Sequence, residues 1–179
     1  MIRTTIILVL LLIPVFSAYS DPKLNFPPEV QLGDTTLKKK GEGIRKAGWL
    51  GIKVYSAALY SNEDIVALKN DGAVILLEYI YKEIVKSDMQ RGWKKSIDDN
   101  CKQNCTDISE EINEFYNSQS TIKSGDKIKY EFTVDSCNVL KNNNPTFKCK
   151  SEKFSKLLLS TFIGSHPPTK ALKKSLLGK

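Results

Sequence analysis

The sequence predicts an α+β domain, an antiparallel sheet with helices packed on one face. Three observations lead there. Lys127 to Val134 alternates polar and apolar residues with the period of a half-buried strand. Val85, Met89, Trp93 and Ile97 recur every four residues, one apolar face of a helix. The helical segments cluster in the middle and at the end of the chain, while the strands come in meanders.

Met1 to Ser20 stand apart from that domain. Arg3 supplies a positive start, and Ile6 to Phe16 is an unbroken apolar run too short to span a bilayer comfortably. Ala18-Tyr19-Ser20 then places small residues before Asp21. This pattern predicts a signal peptide over 1–20 and a single domain over 21–179, periplasmic or secreted, with no stable membrane span after cleavage. No cysteine follows the apolar run, so a lipid-anchored form is not indicated.

The elements follow in order. Asp21 to Pro28 is a polar, proline-bearing lead-in. Thr35 to Lys40 and Leu50 to Tyr60 read as strands around a turn at Gly41-Glu42-Gly43. In the second, Ile52 and Val54 alternate with Lys53 and Tyr55. Asn62 is a cap for a short helix through Leu68, with Glu63 and Asp64 in its first turn, and Asn70-Asp71-Gly72 ends it. Ala73 to Tyr81 is an apolar run suited to a central strand. The Val85–Ile97 helix comes next. Ile108, Ile112, Phe115 and Tyr116 give a second helical face behind an Asp107 cap. Ser124-Gly125-Asp126 turns the chain into the Lys127 strand, and a hairpin follows. Phe154, Leu157, Leu158 and Thr161 mark a helix that stops at Gly164. Pro167-Pro168 breaks the chain before a last helix carrying Leu172, Leu176 and Leu177.

Composition narrows the function. Hydrophobic residues at 41% and charged residues at 26% are ordinary globular values and exclude wholesale disorder. The net charge of +7 is dispersed. Lys38-Lys39-Lys40 and Lys170 to Lys174 are the densest clusters. Neither has the interleaved aromatics of a nucleic-acid surface, so no nucleic-acid partner is expected. A single histidine, His166, removes most zinc-hydrolase schemes, and neither a metal nor a cofactor is expected. His166 itself, before two prolines, reads as a turn residue.

Four cysteines in an exported chain suggest two disulfides. Cys137 and Cys149 flank the turn signal Asn142-Asn143-Asn144-Pro145. Their numbers average to 143, so a hairpin turning at Asn143 sets them opposite each other. Cys101 and Cys105 then pair locally near a helix end. The alternative for that pair, a Cys-x-x-x-Cys metal or redox site, lacks a nearby histidine.

Four segments resemble the chalcone isomerase-like family, in its exported bacterial branch. They are Gly41-Glu42-Gly43-Ile44-Arg45 with Lys53 to Tyr60, the strand ending at Tyr79-Ile80-Tyr81, the Ser124-Gly125-Asp126 turn, and Phe154 to Gly164 with Pro167 and the terminal Leu176-Leu177-Gly178. The resemblance implies an open-faced β-sandwich, a large antiparallel sheet with helices on one side and a ligand cleft between them. It also assigns residues. The plant enzymes close a ring within one molecule, so the protein holds the substrate folded and stabilises negative charge. An arginine after Gly-x-Gly does the electrostatic part, and Arg45 has that place. A threonine in a Thr-x-Ile-Gly segment assists, and Thr161-Phe162-Ile163-Gly164 fits.

Other positions depart from the plant pattern. The plant Tyr, Lys and Asn near the first long helix fall here on Val85, Asp88 and Gly92. A strand threonine falls on Tyr55. The resemblance therefore implies a non-catalytic binder of a small amphipathic anion such as a fatty acid, with Arg45, Tyr55 and Thr161 as ligand-binding residues. Two alternatives stay open. One is an intramolecular lyase of chalcone isomerase type, acting on an aromatic ligand with Arg45 and Thr161 as catalytic residues. The other is a structural or partner-binding protein whose cleft is filled, by Tyr55 or Trp93. The oligomeric state does not follow from the sequence.

Overall fold

The computed structural model describes residues 24–62, 72–101 and 105–179. The expected signal peptide and the expected helix from Asn62 to Leu68 lie outside them, apart from Asn62 itself. Seven strands form one antiparallel sheet: β1 (Glu29–Leu32), β2 (Thr35–Ala47), β3 (Ile52–Tyr60), β4 (Ala73–Tyr79), β7 (Lys127–Phe132), β8 (Cys137–Lys141) and β9 (Asn144–Cys149). They neighbour one another in that order. Between β4 and β7 the chain leaves the sheet. A two-stranded ribbon of β5 (Glu83–Ile84) and β6 (Ile122–Lys123) brackets α1 (Lys86–Asn100) and α2 (Ser109–Ser118). Then α3 (Glu152–Ile163) and α4 (Lys170–Leu176) complete a helical layer on one face.

The sheet is curled, and β3 is buried on both sides. Tyr55, Ala57 and Leu59 belong to the main core under the helices, while Ala58 and Tyr60 face away. That second face carries a small cluster of Leu37, Ala58, Tyr60 and Val74. The lead-in closes over it: the Tyr60 hydroxyl donates to the Pro27 carbonyl at 2.9 Å, and Lys39 donates to the Phe26 carbonyl at 3.1 Å. The expected lead-in, Asp21 to Pro28, is followed by a strand, β1, that the sequence reading did not assign.

The turn expected at Gly41-Glu42-Gly43 is not there; β2 runs straight through it. The glycines serve close approach instead. A Cβ on Gly41 would stand 2.0 Å from the Ser175 carbonyl, and one on Gly43 2.7 Å from the Ser175 Cβ. Both positions face α4, which lies directly on the strand. The chain turns later, through Gly48-Trp49-Leu50-Gly51, where Gly48 and Gly51 take φ of 67° and 64°.

The β8–β9 hairpin turns on Asn142 and Asn143, with φ of 50° and 66°, the left-handed pair that a two-residue hairpin loop requires. A two-residue loop there would centre the register on 142.5. A bulge between Val139 and Leu140 restores it, so that Cys137 pairs directly with Cys149. Their Cα atoms are 5.1 Å apart and the sulfurs are bonded. Cys101, at the end of α1, is bonded to Cys105, with Cα atoms 6.1 Å apart. Asp107 does not cap α2. It lies in a 3₁₀ turn, Thr106–Ile108, and pairs with Lys153 of α3.

Candidate functional site

Register assembles the site. Arg45 on β2 pairs with Tyr55 on β3, and Tyr55 pairs with Tyr79 on β4. Directly paired residues of an antiparallel sheet share a face, so the three side chains form one rung under the helices. The Arg45 Cζ stands 5.6 Å from the centre of the Tyr55 ring, a cation–π contact. The Tyr55 and Tyr79 ring centres are 5.4 Å apart, tilted at 58°.

A cavity of about 340 Å³ separates this rung from α1. Arg45, Tyr55, Leu77 and Tyr79 form its sheet wall. Ile84, Met89, Gly92 and Trp93 form the opposite wall, with Asp88, Lys95 and Asp99 also on α1. His166, Pro167 and Pro168, from the loop between α3 and α4, complete it. The volume is at the lower end of the range for small-molecule sites, about 300–1,000 Å³.

The charges around the cavity are mostly neutralised by their own neighbours. Asp88 pairs with Arg91, and Asp99 with Lys95 at 2.8 Å. Glu42, the carboxylate closest to Arg45 in sequence, pairs with Ala58 and so lies on the other face, bonded by Lys39 at 2.7 Å. The Nε of Arg45 is buried and has no hydrogen-bond partner among the described residues. A buried donor left unpaired is costly, which makes this atom the unusual one in the site. Burial pushes the Tyr55 phenol up to about 12, with Arg45 opposing the shift. Burial pushes Tyr79 higher still, and the neighbouring Tyr55 adds to it. Both phenols are therefore neutral hydroxyls at physiological pH. Among the described residues the arrangement offers a guanidinium with an unpartnered Nε and two neutral phenols beside a space of mixed polar and apolar lining. That chemistry suits an anionic head group carrying an apolar body.

The residues expected from sequence divide. Arg45 and Tyr55 meet at the cavity. Thr161 does not line it. Its side chain is 1% exposed, and its hydroxyl donates to the Leu158 carbonyl at 2.6 Å, one turn back in α3. That is the self-satisfied threonine of a helix interior. Of the three positions matched to the plant helix, Asp88 and Gly92 line the cavity, whereas Val85 is the N-terminal flank of α1. Neither proposed plug fills the space. Tyr55 stands along the wall. Trp93 is packed from behind by Phe115, Phe162 and Tyr130, with ring centres 5.0, 5.8 and 5.9 Å away.

Tyr79 and His166 are among the lining residues that escaped the sequence reading. Tyr79 was legible only as a strand residue; its place beside Tyr55 follows from register. His166, read as a turn residue, borders the cavity. Its loop is held by Asn100, whose amide donates to the His166 carbonyl at 2.9 Å. No sequence signal links Asn100 and His166, 66 positions apart.

Comparison with known proteins agrees with this architecture. No curated protein sequence matches the chain. Among solved structures, a fatty-acid binding protein of Arabidopsis thaliana is similar in fold, with a TM-score of 0.70 at 19% sequence identity over 86% of this chain and 91% of that one. The sequence model of the chalcone isomerase-like family matches residues 22–178. With nearly all of the folded chain covered, the protein belongs to the chalcone isomerase-like family.

Proposed function

We propose that the protein is an exported, non-catalytic binder of a small amphipathic anion, with a fatty acid as the best-fitting class. The observation that carries this reading is the buried Arg45 Nε, unpaired among the described residues, beside a cavity of about 340 Å³ that also presents Leu77, Ile84, Met89 and Trp93. A carboxylate accepts from a guanidinium through a fixed, charge-assisted fork. Tyr55 and Tyr79 add neutral donors beside it, and Leu77, Met89 and Trp93 offer apolar surface to an acyl chain. The modest volume favours a medium chain over a long one. The fatty-acid binding protein of similar fold supports the class of ligand. Export rests on the signal peptide read over 1–20, followed by one domain over 21–179, and two cysteine pairs at bonding distance are consistent with an oxidising compartment. Among the described residues no helix is long and apolar enough to cross a membrane.

Ring closure of the plant type is disfavoured in this reading. By the family resemblance Asp88 and Gly92 replace the plant enzymes' ammonium and amide, and Thr161 spends its hydroxyl on its own helix. The test has two parts. Mass spectrometry of small molecules that co-purify with the chain lacking residues 1–20 should find fatty acids in near-stoichiometric amount. A spectrophotometric assay should show chalcone lost no faster than without protein. Turnover well above the spontaneous rate, abolished by Arg45→Ala, would reverse the assignment in favour of an isomerase.

A further inference from the structure

The exposed large apolar residues are gathered at one end of the fold. Among the described residues they are Trp49, Leu50, Ile52, Tyr81 and Val85. Trp49 is 93% exposed and Leu50 66%. Scattered single exposures need no explanation, but a shared location does. Trp49 and Leu50 form the tip of the β2–β3 hairpin, and Ile52 pairs with Ala47 at its base. Tyr81 is tied to the same hairpin, because the backbone N–H groups of Ile80 and Tyr81 both donate to the Val54 carbonyl, at 2.9 and 3.0 Å. Val85 follows Ile84, which lines the cavity beside Tyr55.

The tip is built to hold this shape. Positive φ at Gly48 and Gly51 pinches the two-residue apex, and a Cβ on either glycine would meet nothing within 4 Å. Among the described residues the two apex side chains are mostly exposed, while Ala47 at the base of the turn packs on the main core. An apex held this way presents an indole and an isobutyl group to its surroundings with little further ordering.

The charge around the apex selects the partner. Lys82 and Lys86 are exposed on the segment that carries Tyr81 and Val85, and Lys86 also donates to the Asn117 carbonyl at 3.1 Å. The nearby carboxylates are Glu83, which is exposed, and Asp88, which Arg91 occupies. An exposed indole tip with cationic side chains on the adjoining segment is the composition of a surface that settles at the boundary between lipid head groups and acyl chains. The lysines then face anionic head groups. We propose that the Trp49–Leu50 hairpin docks the protein on an anionic bilayer, with Tyr81 in the head-group layer. The cavity lies two paired positions further along the same strands, since Lys46 pairs with Lys53 and Arg45 with Tyr55. Docking there would bring the site near the membrane, but the surface argument stands whatever the cavity binds.

The chain has two tryptophans, and Trp93 is buried, so Trp49 is a built-in reporter. The experiment mixes the chain lacking residues 1–20 with vesicles of equal parts phosphatidylglycerol and phosphatidylcholine. The sheet and helices all lie within 24–179, so this chain keeps the fold. The protein should co-sediment with these vesicles and not with pure phosphatidylcholine. Tryptophan emission should move to shorter wavelength, and brominated acyl chains should quench it. Trp49→Ser combined with Leu50→Ser should lower binding about tenfold or more, with the thermal midpoint unchanged because both side chains are mostly exposed. Lys82→Gln should lower it less. Absence of vesicle binding overturns the proposal. So does binding to anionic vesicles that leaves Trp49 emission unmoved, or a dimer in solution that shields Trp49 from aqueous quenchers.

Discussion

One layer of the molecule, the space between the sheet and its helices, is built in two ways. At the cysteine end it is filled. The paired row of Leu59, Ile75, Tyr130, Val139 and Phe147 meets Phe115 of α2 and Phe154 of α3. Phe115 has Trp93, Phe147 and Phe154 at ring distances of 5.0, 5.2 and 5.7 Å. At the arginine end the same two layers leave about 340 Å³ unfilled. The helix there presents Gly92, where a Cβ would meet nothing within 4 Å. The contrast separates what holds the fold from what the fold holds. Aromatic packing and a stapled hairpin stabilise one end, and the other keeps a cation in a space that packing would normally close.

The largest effect should come from the filled end. Phe115→Ala removes a fully buried ring from the centre of the aromatic cluster and should cost about 3–5 kcal/mol by denaturant unfolding. Tyr79→Ala, at the open end, should cost clearly less, because its ring already borders empty space. Equal costs would erase the distinction between the two ends.

The staple should come second. Replacing Cys137 and Cys149 together by serine should cost about 2–4 kcal/mol, since the bond closes a loop spanning most of the hairpin. The same change at Cys101 and Cys105 should cost less, because the shorter loop restricts the unfolded chain less. Peptide mapping without reduction should recover these two pairings and no Cys101–Cys149 link.

A smaller effect of opposite sign is expected at Gly92. Gly92→Ala should stabilise the chain by about 0.5–1 kcal/mol, the usual gain from removing a helix-interior glycine where a methyl fits. Gly92→Leu should fill the cavity and lower ligand affinity without unfolding the protein. If either substitution destabilises strongly, the space is not open as described.

How far the sequence led can be read at particular residues. Strand alternation and helical periodicity located α1, α3, β7 and the hairpin, because each buries one face and the pattern of burial is local. The Gly41-Glu42-Gly43 turn misled because glycine has two uses. A turn needs positive φ, and close packing needs no Cβ, and only the position of α4 distinguishes them. The two-residue strands β5 and β6 are too short to show a period. For the site, Arg45 and Tyr55 came from family resemblance, and their adjacency required a register that the sequence does not state. Tyr79 and His166 arrive at the cavity through long-range pairing and a loop anchor. Thr161 fits the family motif by spacing, yet its hydroxyl turns inward to Leu158, a choice of rotamer that spacing cannot reveal.

The central claim is that Arg45 anchors a carboxylate in the cavity. Calorimetric titration of the delipidated chain lacking residues 1–20 with medium-chain fatty acids tests it most directly, using wild type, Arg45→Lys, Arg45→Ala and Thr161→Val. The wild type should bind at one site. Arg45→Lys should bind more weakly, since a point charge replaces a planar fork. Arg45→Ala should lose about 1.5–3 kcal/mol, and Thr161→Val should match wild type. Equal affinity for wild type and Arg45→Ala, or a loss confined to Thr161→Val, would contradict the account.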